Sequence, residues 1–357
     1  MESMVEALDK KFWNGKRVFI TGNTGFKGSW LCALLGMLGA EIKGYSLEPP
    51  TMPSMYELIR ADEWVQEVKG DVRDLSKLQY ELEVWKPEIV FHLAAQPLVR
   101  ESYLRPADTY EINVMGTVNI LEAVRNYGNL RAFINITTDK VYENKEWVWP
   151  YRENDALGGY DPYANSKACS ELATAAYRSS FFDSEDSPTG ICTARAGNVI
   201  GGGDWACDRL IPDCVRAAME GKPIIIRNPD AIRPWQHVLE PLTGYLKLAE
   251  KLYSEKLYSG NWNFGPGDDG CINVRKVVER FCSNWPGSSY KVIHNNSFHE
   301  TNFLKLDSSK SRTRIGWRPS WTLEKSIDMT VEWYKAYFEK QDLRDITIKQ
   351  IKVFFNE

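Results

Sequence analysis

A chain of 357 residues, 43% hydrophobic and 26% charged, has globular proportions and excludes disordered and fibrous classes. Its 44 Lys+Arg and 48 Asp+Glu give a net charge of −4 with the two signs intermixed, so no nucleic-acid partner is expected. The histidines (His92, His237, His294 and His299) and seven scattered cysteines show no CxxC or HExxH spacing, which predicts no metal site and reduced thiols in a cytoplasmic protein. The opening residues MESMVEALDKKFW are polar and charged, and no apolar run is long enough for a membrane span.

RVFIT (17–21) predicts the first strand, TGNTGFKG follows it, and SWLCALLGMLGA predicts a helix that Gly39 is placed to end. EIKGYS (41–46), VQEVKGD (65–71), EIVFHLAA (88–95), AFINITT (132–138) and GICTARAG (190–197) repeat the strand pattern, with helical segments near 75–84, 108–127 and 162–182. This alternation specifies an α/β fold, a Rossmann-type doubly wound parallel sheet with right-handed crossovers. After residue 200 the chain becomes richer in Gly, Pro, Asp and Trp, which predicts a smaller, interleaved C-terminal substrate-binding domain. The expected division is 12–198 for dinucleotide binding, with a returning segment near 236–262, and 199–235 with 263–345 for the second part. Most of the 13 tryptophans read as packing anchors.

Gly22, Gly25 and Gly28 stand between a strand and a helix, where they permit a tight turn and close approach of a pyrophosphate to helix N–H groups. Asn23, Thr24, Phe26 and Lys27 complete that turn. The TGxxGFxG spacing resembles the extended short-chain dehydrogenase/reductases rather than the common G-x-G-x-x-G form. That resemblance implies an adenine contact at Asp71, with Val72 beside it. It also implies a cofactor wall at Leu93, Ala94, Ala95 and Gln96, and a cofactor contact at Asn113. The second strand ends in GYSLEPP, where Ser46 or Glu48 can bond a ribose hydroxyl and no arginine welcomes a 2′-phosphate, so NAD is expected over NADP.

In GGYDPYANSKACSELA, Asp161 can cap a helix and Pro162 suits its first turn, which puts Tyr163 and Lys167 at i and i+4 on one face. An ammonium near a phenol favours the phenolate, a suitable base for a sugar hydroxyl. Upstream, AFINITT ends in Thr137, Thr138, Asp139 and Lys140, at the strand end where doubly wound sheets bind ligands. A capped turn would use the same residue types. Asp139 adds an acid that simple dehydrogenation does not need and elimination of water does.

TTDKVYENKEWVWPYRENDALGGYDPYANSK, RAGNVIGGGDWACDRLIP and IIIRNPDAIRPWQHVLEPL together resemble the nucleotide-sugar 4,6-dehydratases, and within them the CDP-glucose branch, from about residue 12 to about 337. The broad group carries Thr-Asp-Glu where this chain has Thr138, Asp139 and Lys140. The resemblance implies oxidation of CDP-glucose at C4, loss of water across C5 and C6, and reduction at C6, with NAD unchanged overall. Thr138, Asp139, Lys140, Tyr163 and Lys167 are the implied catalytic residues. Lys140 is either the C5 base or an ammonium that stabilises the enolate.

The substrate side is expected at Gln96, Asn198, Trp205, Arg209, Arg227, Arg233 and His237, with Gly201–Gly203 as an anion nest. For Trp205 and His237 a packing role is the alternative, and His92 reads as a core histidine. The segment 142–155 is expected to loop over the sugar. Another 4,6-dehydratase, a 4-epimerase or decarboxylase of the same superfamily, and a non-catalytic NAD-binding regulator remain rival readings; the first pair differ over the need for Asp139. Pairing through the two long helices would give a homodimer or homotetramer.

Overall fold

The structure, a computed structural model, describes residues 8–293 and 303–356. Runs of β-branched and aliphatic residues form the strands β1 (Arg17–Thr21), β2 (Glu41–Ser46), β3 (Val65–Lys69), β4 (Ile89–His92), β5 (Ala132–Ile136) and β6 (Gly190–Ala196). Three short strands follow, β7 (Asn198–Ile200), β8 (Ile224–Ile226) and β9 (Ile232–His237), before β10 (Gly260–Phe264), β11 (Cys271–Asn273) and β12 (Tyr290–Val292). The central sheet is seven-stranded in the order β10-β6-β5-β4-β1-β2-β3, with every pairing parallel. The order reverses between β1 and β4, and a crevice opens outside their carboxyl ends.

Alternation along each strand divides the core. Val18 and Ile20 face a cluster that includes Trp30 and Leu31 of the helix Phe26–Met37 and Leu242 and Leu246 of the helix Leu239–Ser254. Phe19 faces the other side, with Leu78 and Leu82 of the helix Leu75–Trp85 and Ile120 and Leu121 of the helix Gly116–Tyr127. β7, β9 and β11 form a separate three-stranded sheet, and β8 pairs with β12. The chain then returns to the large sheet at β10, whose register runs from Gly260 opposite Cys192 to Phe264 opposite Ala196.

Three strands stop two or three residues short of their expected ends. β4 ends at His92 because Leu93–Ala95 must leave the sheet where the β1 turn crowds them: a Cβ on Gly22 would lie 2.7 Å from the Ala94 nitrogen. β5 ends at Ile136, and Thr137 and Thr138 use their side chains to bond neighbours instead. β3 ends at Lys69, where the Gly70 amide still donates to Ser46 before the chain turns at Asp71. The expected helix 108–127 is divided into Pro106–Tyr110, a π-helical turn at Glu111–Met115, and Gly116–Tyr127, where a Cβ on Gly116 would strike Val72. Gly39 does end the first long helix, with φ +81°.

Among the described residues no helix is long and apolar enough to cross a membrane, no group of His, Cys, Asp and Glu could hold a metal ion, and the cysteines are free. Residues 1–7, His294 and His299 lie outside the described residues.

Gly28 and Gly128 separate steric crowding from conformational strain. A Cβ at Gly28 would meet the Gly22 carbonyl oxygen at 2.2 Å, whereas Gly128 has φ +70° and open space around it. Gly28→Ala is expected to lower the unfolding free energy by about 1–3 kcal/mol, and Gly128→Ala by about 1 kcal/mol from strain alone. Urea denaturation of the two variants checks the order; equal losses would contradict it.

Candidate active site

The crevice is built from the backbone first. Gly22 adopts φ +77° and carries the chain from β1 into the helix Phe26–Met37, whose N-cap is Gly25 with no side chain bonded to its first turn. Helix N–H groups so presented suit a dinucleotide pyrophosphate, and the turn behind them is tight: a Cβ at position 22 would strike the Ala94 backbone and one at position 28 the Gly22 carbonyl oxygen. Asn23 is buried against Gly44, and the Thr24 hydroxyl donates to the Leu47 carbonyl, which fixes the turn to β2. At the end of β2, Ser46 is buried with its hydroxyl unpartnered, while Glu48 is exposed and paired with Lys69 at 2.5 Å.

Opposite the turn, Leu93 and Ala94 hang from Thr21 through N–H bonds to its carbonyl and hydroxyl oxygens. Asp71 is gripped by Arg73 through both carboxylate oxygens, and these bonds hold its carboxyl below the ordinary range. Two residues expected at the ligand have side chains tied to the fold. Asn113 is buried, with its carboxamide accepting from the Gln96 amide at 2.8 Å and donating to the Gln96 carbonyl and the Ser166 hydroxyl. The Gln96 side chain is likewise used up, donating to Leu98 and Thr109 and accepting from the Leu98 amide.

The catalytic candidates do meet. Asp161 caps the helix Pro162–Tyr177 by accepting from the Ala164 amide, which sets Tyr163 and Lys167 one turn apart. Thr138 caps the short turn Asp139–Val141, donates its hydroxyl to Asp139 Oδ1 at 3.0 Å, and acts on the Tyr163 phenol. The capped turn and the site are thus the same residues. Asp139 is 2% exposed, and its Oδ2 has no partner. Burial raises its carboxyl above the ordinary range, against the pull of Lys140, Thr138 and Arg233. Burial lowers Lys140, against the pull of Asp139. It pushes Tyr163 up to about 12, opposed by Thr138 and Arg209. Lys167 falls to about 8 by burial, opposed by Glu171, and its Nζ donates to the Ile136 carbonyl at 3.1 Å. The site therefore holds a carboxyl that gives up its proton less readily than in water and lysines that release theirs more readily.

The expected substrate side divides. Arg209 pairs with Asp204 at 2.9 Å and acts on Tyr163, while Arg233 acts on Asp139 and Lys140. Arg227 belongs to a second cluster, in which Asp208 pairs with it at 3.4 Å and with Arg100 at 2.7 Å. Asn198 begins β7, half-buried opposite Trp235 of β9. Gly201–Gly203 is closely packed on its Cβ side, where added Cβ atoms would strike Val238, Trp333 and Met55 respectively. The Gly202 carbonyl also accepts from the Trp30 indole. Trp205 packs edge-on to Tyr334 at 5.2 Å and against Tyr337.

His237 is a core residue and not a substrate contact. It is 0% exposed, with its ring 5.7 Å from Trp30 and 4.8 Å from Trp321. His92 is also in the core, bonded to Thr21 at 2.7 Å and Thr117 at 3.3 Å. The segment 142–155 anchors itself through a Tyr142–Tyr151 stack at 5.0 Å, leaving Val148 and Trp149 exposed.

Sequence reasoning missed Asp204, Glu171, Arg195 and Tyr245. Tyr245 is buried with its hydroxyl unpartnered, and the charges of Asp139 and Tyr163 act on it. Glu171 did carry a signal, standing one helical turn beyond Lys167. So did Arg195, the charged residue in an otherwise uncharged, wholly buried strand.

A parallel sheet in this order, with a glycine turn at the reversal point and a Tyr-Lys helix alongside, defines the extended short-chain dehydrogenase/reductase class. The family model for GDP-mannose 4,6 dehydratase matches residues 19–330, and the chain belongs to that family. It is 49% identical over 354 residues to the CDP-glucose 4,6-dehydratase of Salmonella typhimurium, covering 98% of this chain and 99% of that one. It is similar in structure to a dTDP-glucose 4,6-dehydratase of Streptomyces venezuelae with NAD and TYD bound, at TM-score 0.77 and 23% identity, covering 92% of this chain and 99% of that one. A UDP-glucuronic acid 4-epimerase of Bacillus cereus in complex with UDP-glucuronic acid and NAD superposes at TM-score 0.77 and 22% identity, covering 90% of this chain and 99% of that one. At these identities the two structures establish the shared fold.

The buried histidines give a pH signature. Burial, with the Lys167 charge added, lowers His92 to about 3, and burial lowers His237 to about 3. Unfolded histidine titrates near ~6.5. A depressed folded value contributes stability that is whole above the unfolded pKa and is lost as pH falls toward the folded one. His237→Phe removes one such titration. Its stability difference from the wild type is therefore expected to change by about 1.4 kcal/mol per pH unit below 6.5. Urea titrations at successive pH values check this, and a pH-independent difference would refute it.

Proposed function

We propose that the protein converts CDP-glucose to CDP-4-keto-6-deoxyglucose with NAD as a retained cofactor. The observation that carries this reading is Asp139: a carboxyl whose burial raises it above the ordinary range, with one oxygen unpartnered, in the cluster with Thr138 and Tyr163. Oxidation and epimerisation at C4 need a base and a hydroxyl but no such acid, whereas loss of the C6 hydroxyl as water does. The cytidine diphosphate assignment is supported by the 49% identity to the Salmonella enzyme over nearly the whole of both chains.

When bound along the Gly22–Gly28 turn, NAD supplies the hydride acceptor and donor of the cycle. Tyr163 takes the C4 hydroxyl proton, with Thr138 acting on its phenol and Lys167 one helical turn away. The 4-keto group then acidifies the C5 proton. Asp139 protonates the leaving C6 hydroxyl. Lys140, lowered by burial, either takes the C5 proton or stabilises the enolate as its ammonium. Arg209 and Arg233 hold the diphosphate near the catalytic charges, and Arg227 with Arg100 holds its outer side, where Asp208 must release them. Residues 12–198 with the return near 236–262 carry the dinucleotide, and 199–235 with 263–345 carry the nucleotide sugar.

Incubation with CDP-, dTDP-, GDP- and UDP-glucose, scored by the alkaline absorbance of a 4-keto-6-deoxy product, tests the substrate; absence of product from CDP-glucose would sink the assignment. Asp139→Asn is expected to lower product formation by about 10²-fold or more. Full turnover by that variant would favour the 4-epimerase reading.

We also propose a cytoplasmic homodimer or homotetramer paired through the helices at 106–127 and 162–177. Met115 in the first and Leu172, 58% exposed, in the second present apolar side chains to solvent, and Leu104 at 76% exposure lies beside them. Leu172→Glu is expected to shift the protein to a monomer in sedimentation, and an unchanged assembly would exclude this surface.

A further inference from the structure

Beneath the catalytic strand end lies a wholly buried ion pair that the reaction as drawn above does not use. Glu171 follows Tyr163 and Lys167 at the next turn of the same helix face. Its Oε1 accepts from Thr137 Oγ1 at 2.5 Å and Arg195 Nε at 2.9 Å. Its Oε2 accepts from Thr193 Oγ1 at 2.6 Å and Arg195 Nη2 at 2.8 Å. Arg195 Nη1 donates to the Tyr142 hydroxyl at 2.8 Å and the Glu153 carbonyl at 3.2 Å. Tyr142 passes the network on to Asn263 Oδ1 at 2.8 Å. Both side chains of the pair are essentially unexposed.

A fold does not need such a pair for stability, because the cost of desolvating two charges cancels much of their attraction. The placement of this one points elsewhere. Thr137, which immediately precedes Thr138 and Asp139, is tied down by Glu171, and the Lys167 side chain leaves the helix one turn before it.

We propose that Glu171 and Arg195 are positioning residues for the C4 step: Glu171, bonded to Thr137 and one helical turn beyond Lys167, fixes the strand end and sets a carboxylate on the lysine's side of the helix, and Arg195 holds Glu171 in place. The inference rests on the reading of Tyr163 as the C4 base. Electrostatics agree with it. Burial alone would raise Glu171, but the charge and bonds of Arg195, with Thr137 and Thr193, hold its carboxyl below the ordinary range. Glu171 in turn opposes the burial that lowers Lys167 to about 8. The other groups facing Lys167 are Lys27 from the glycine turn and the neutral His92 at the end of β4, neither of which supplies a negative charge. Tyr163 is faced by Thr138, Asp139, Asp161, Arg209 and Tyr245. Glu171 is therefore the negative charge that opposes the lowering of Lys167, and a lysine ammonium close to a phenol favours the phenolate.

Glu171→Gln removes that charge, and the double variant Glu171→Gln/Arg195→Met removes it without stranding the arginine. Lys167 is expected to titrate lower than in the wild type by roughly one pH unit or more, as read by NMR of isotope-labelled lysine with a Lys167→Arg control for assignment. The acid limb of kcat/KM for CDP-glucose is expected to move up by a similar amount, with KM little changed, and Glu171→Asp to restore part of both. A merely structural pair would lower turnover uniformly across pH and leave the lysine titration where it was; that result overturns the inference. A double variant that cannot fold would also overturn it, by making the pair a requirement of the fold. If Lys167 moves and the kinetic limb does not, the coupling to Tyr163 is wrong. The NMR arm needs no turnover, so its outcome stays separate from failure of the dehydratase reading itself.

Discussion

Backbone contact at the head of β1 is the constraint on which the remaining structure depends. The Gly22 carbonyl stands where a Cβ of residue 28 would be, and Ala94 stands where a Cβ of residue 22 would be. That closeness aims the first helix at the crevice and forces Leu93–Ala95 out of the sheet. Gln96 is then within reach of Asn113, Asn113 bonds Ser166, and Ser166 bonds the Tyr163 carbonyl. A continuous set of contacts thus registers the Tyr-Lys helix against the nucleotide turn, although the two lie more than a hundred residues apart in the chain.

Upon this frame, burial does opposite things to opposite groups. The same loss of water that raises Asp139 lowers Lys140, Lys167 and Lys27. A site that must donate one proton and accept another gains both capacities from a single cause. What tunes the individual groups is their fixed partners, Thr138 for Asp139 and Tyr163, and Glu171 for Lys167.

The strands and the main catalytic cluster were legible because their signals are local: alternation, a glycine turn, a capped helix with i and i+4 side chains. Contacts made across the sheet were not. Gly201–Gly203 read as an anion nest, but glycine sequence alone cannot distinguish a cradle for a ligand from space for a ring, and Trp333 lies 131 residues beyond Gly202. His237 and Trp205 looked like cleft residues from their charged neighbourhood, yet Trp30, Trp321 and Tyr334 enclose them from distant segments. Asn113 stood out in the sequence by its motif, but only the fold shows that its carboxamide bonds Gln96 and Ser166.

The late return of β10 bears on the protein's birth at the ribosome. β6 is complete by residue 196, but its outer partner, Gly260–Phe264, is made some 60 residues later. Throughout that interval a strand destined for full burial, with Arg195 its one charged residue, presents unpaired backbone groups along one edge. At synthesis rates of about 5–20 residues per second, the exposure lasts seconds. Arg195, placed in the middle of that strand, is a charge at the position where an aggregating neighbour would otherwise dock, so one residue guards the nascent edge before it serves the finished site.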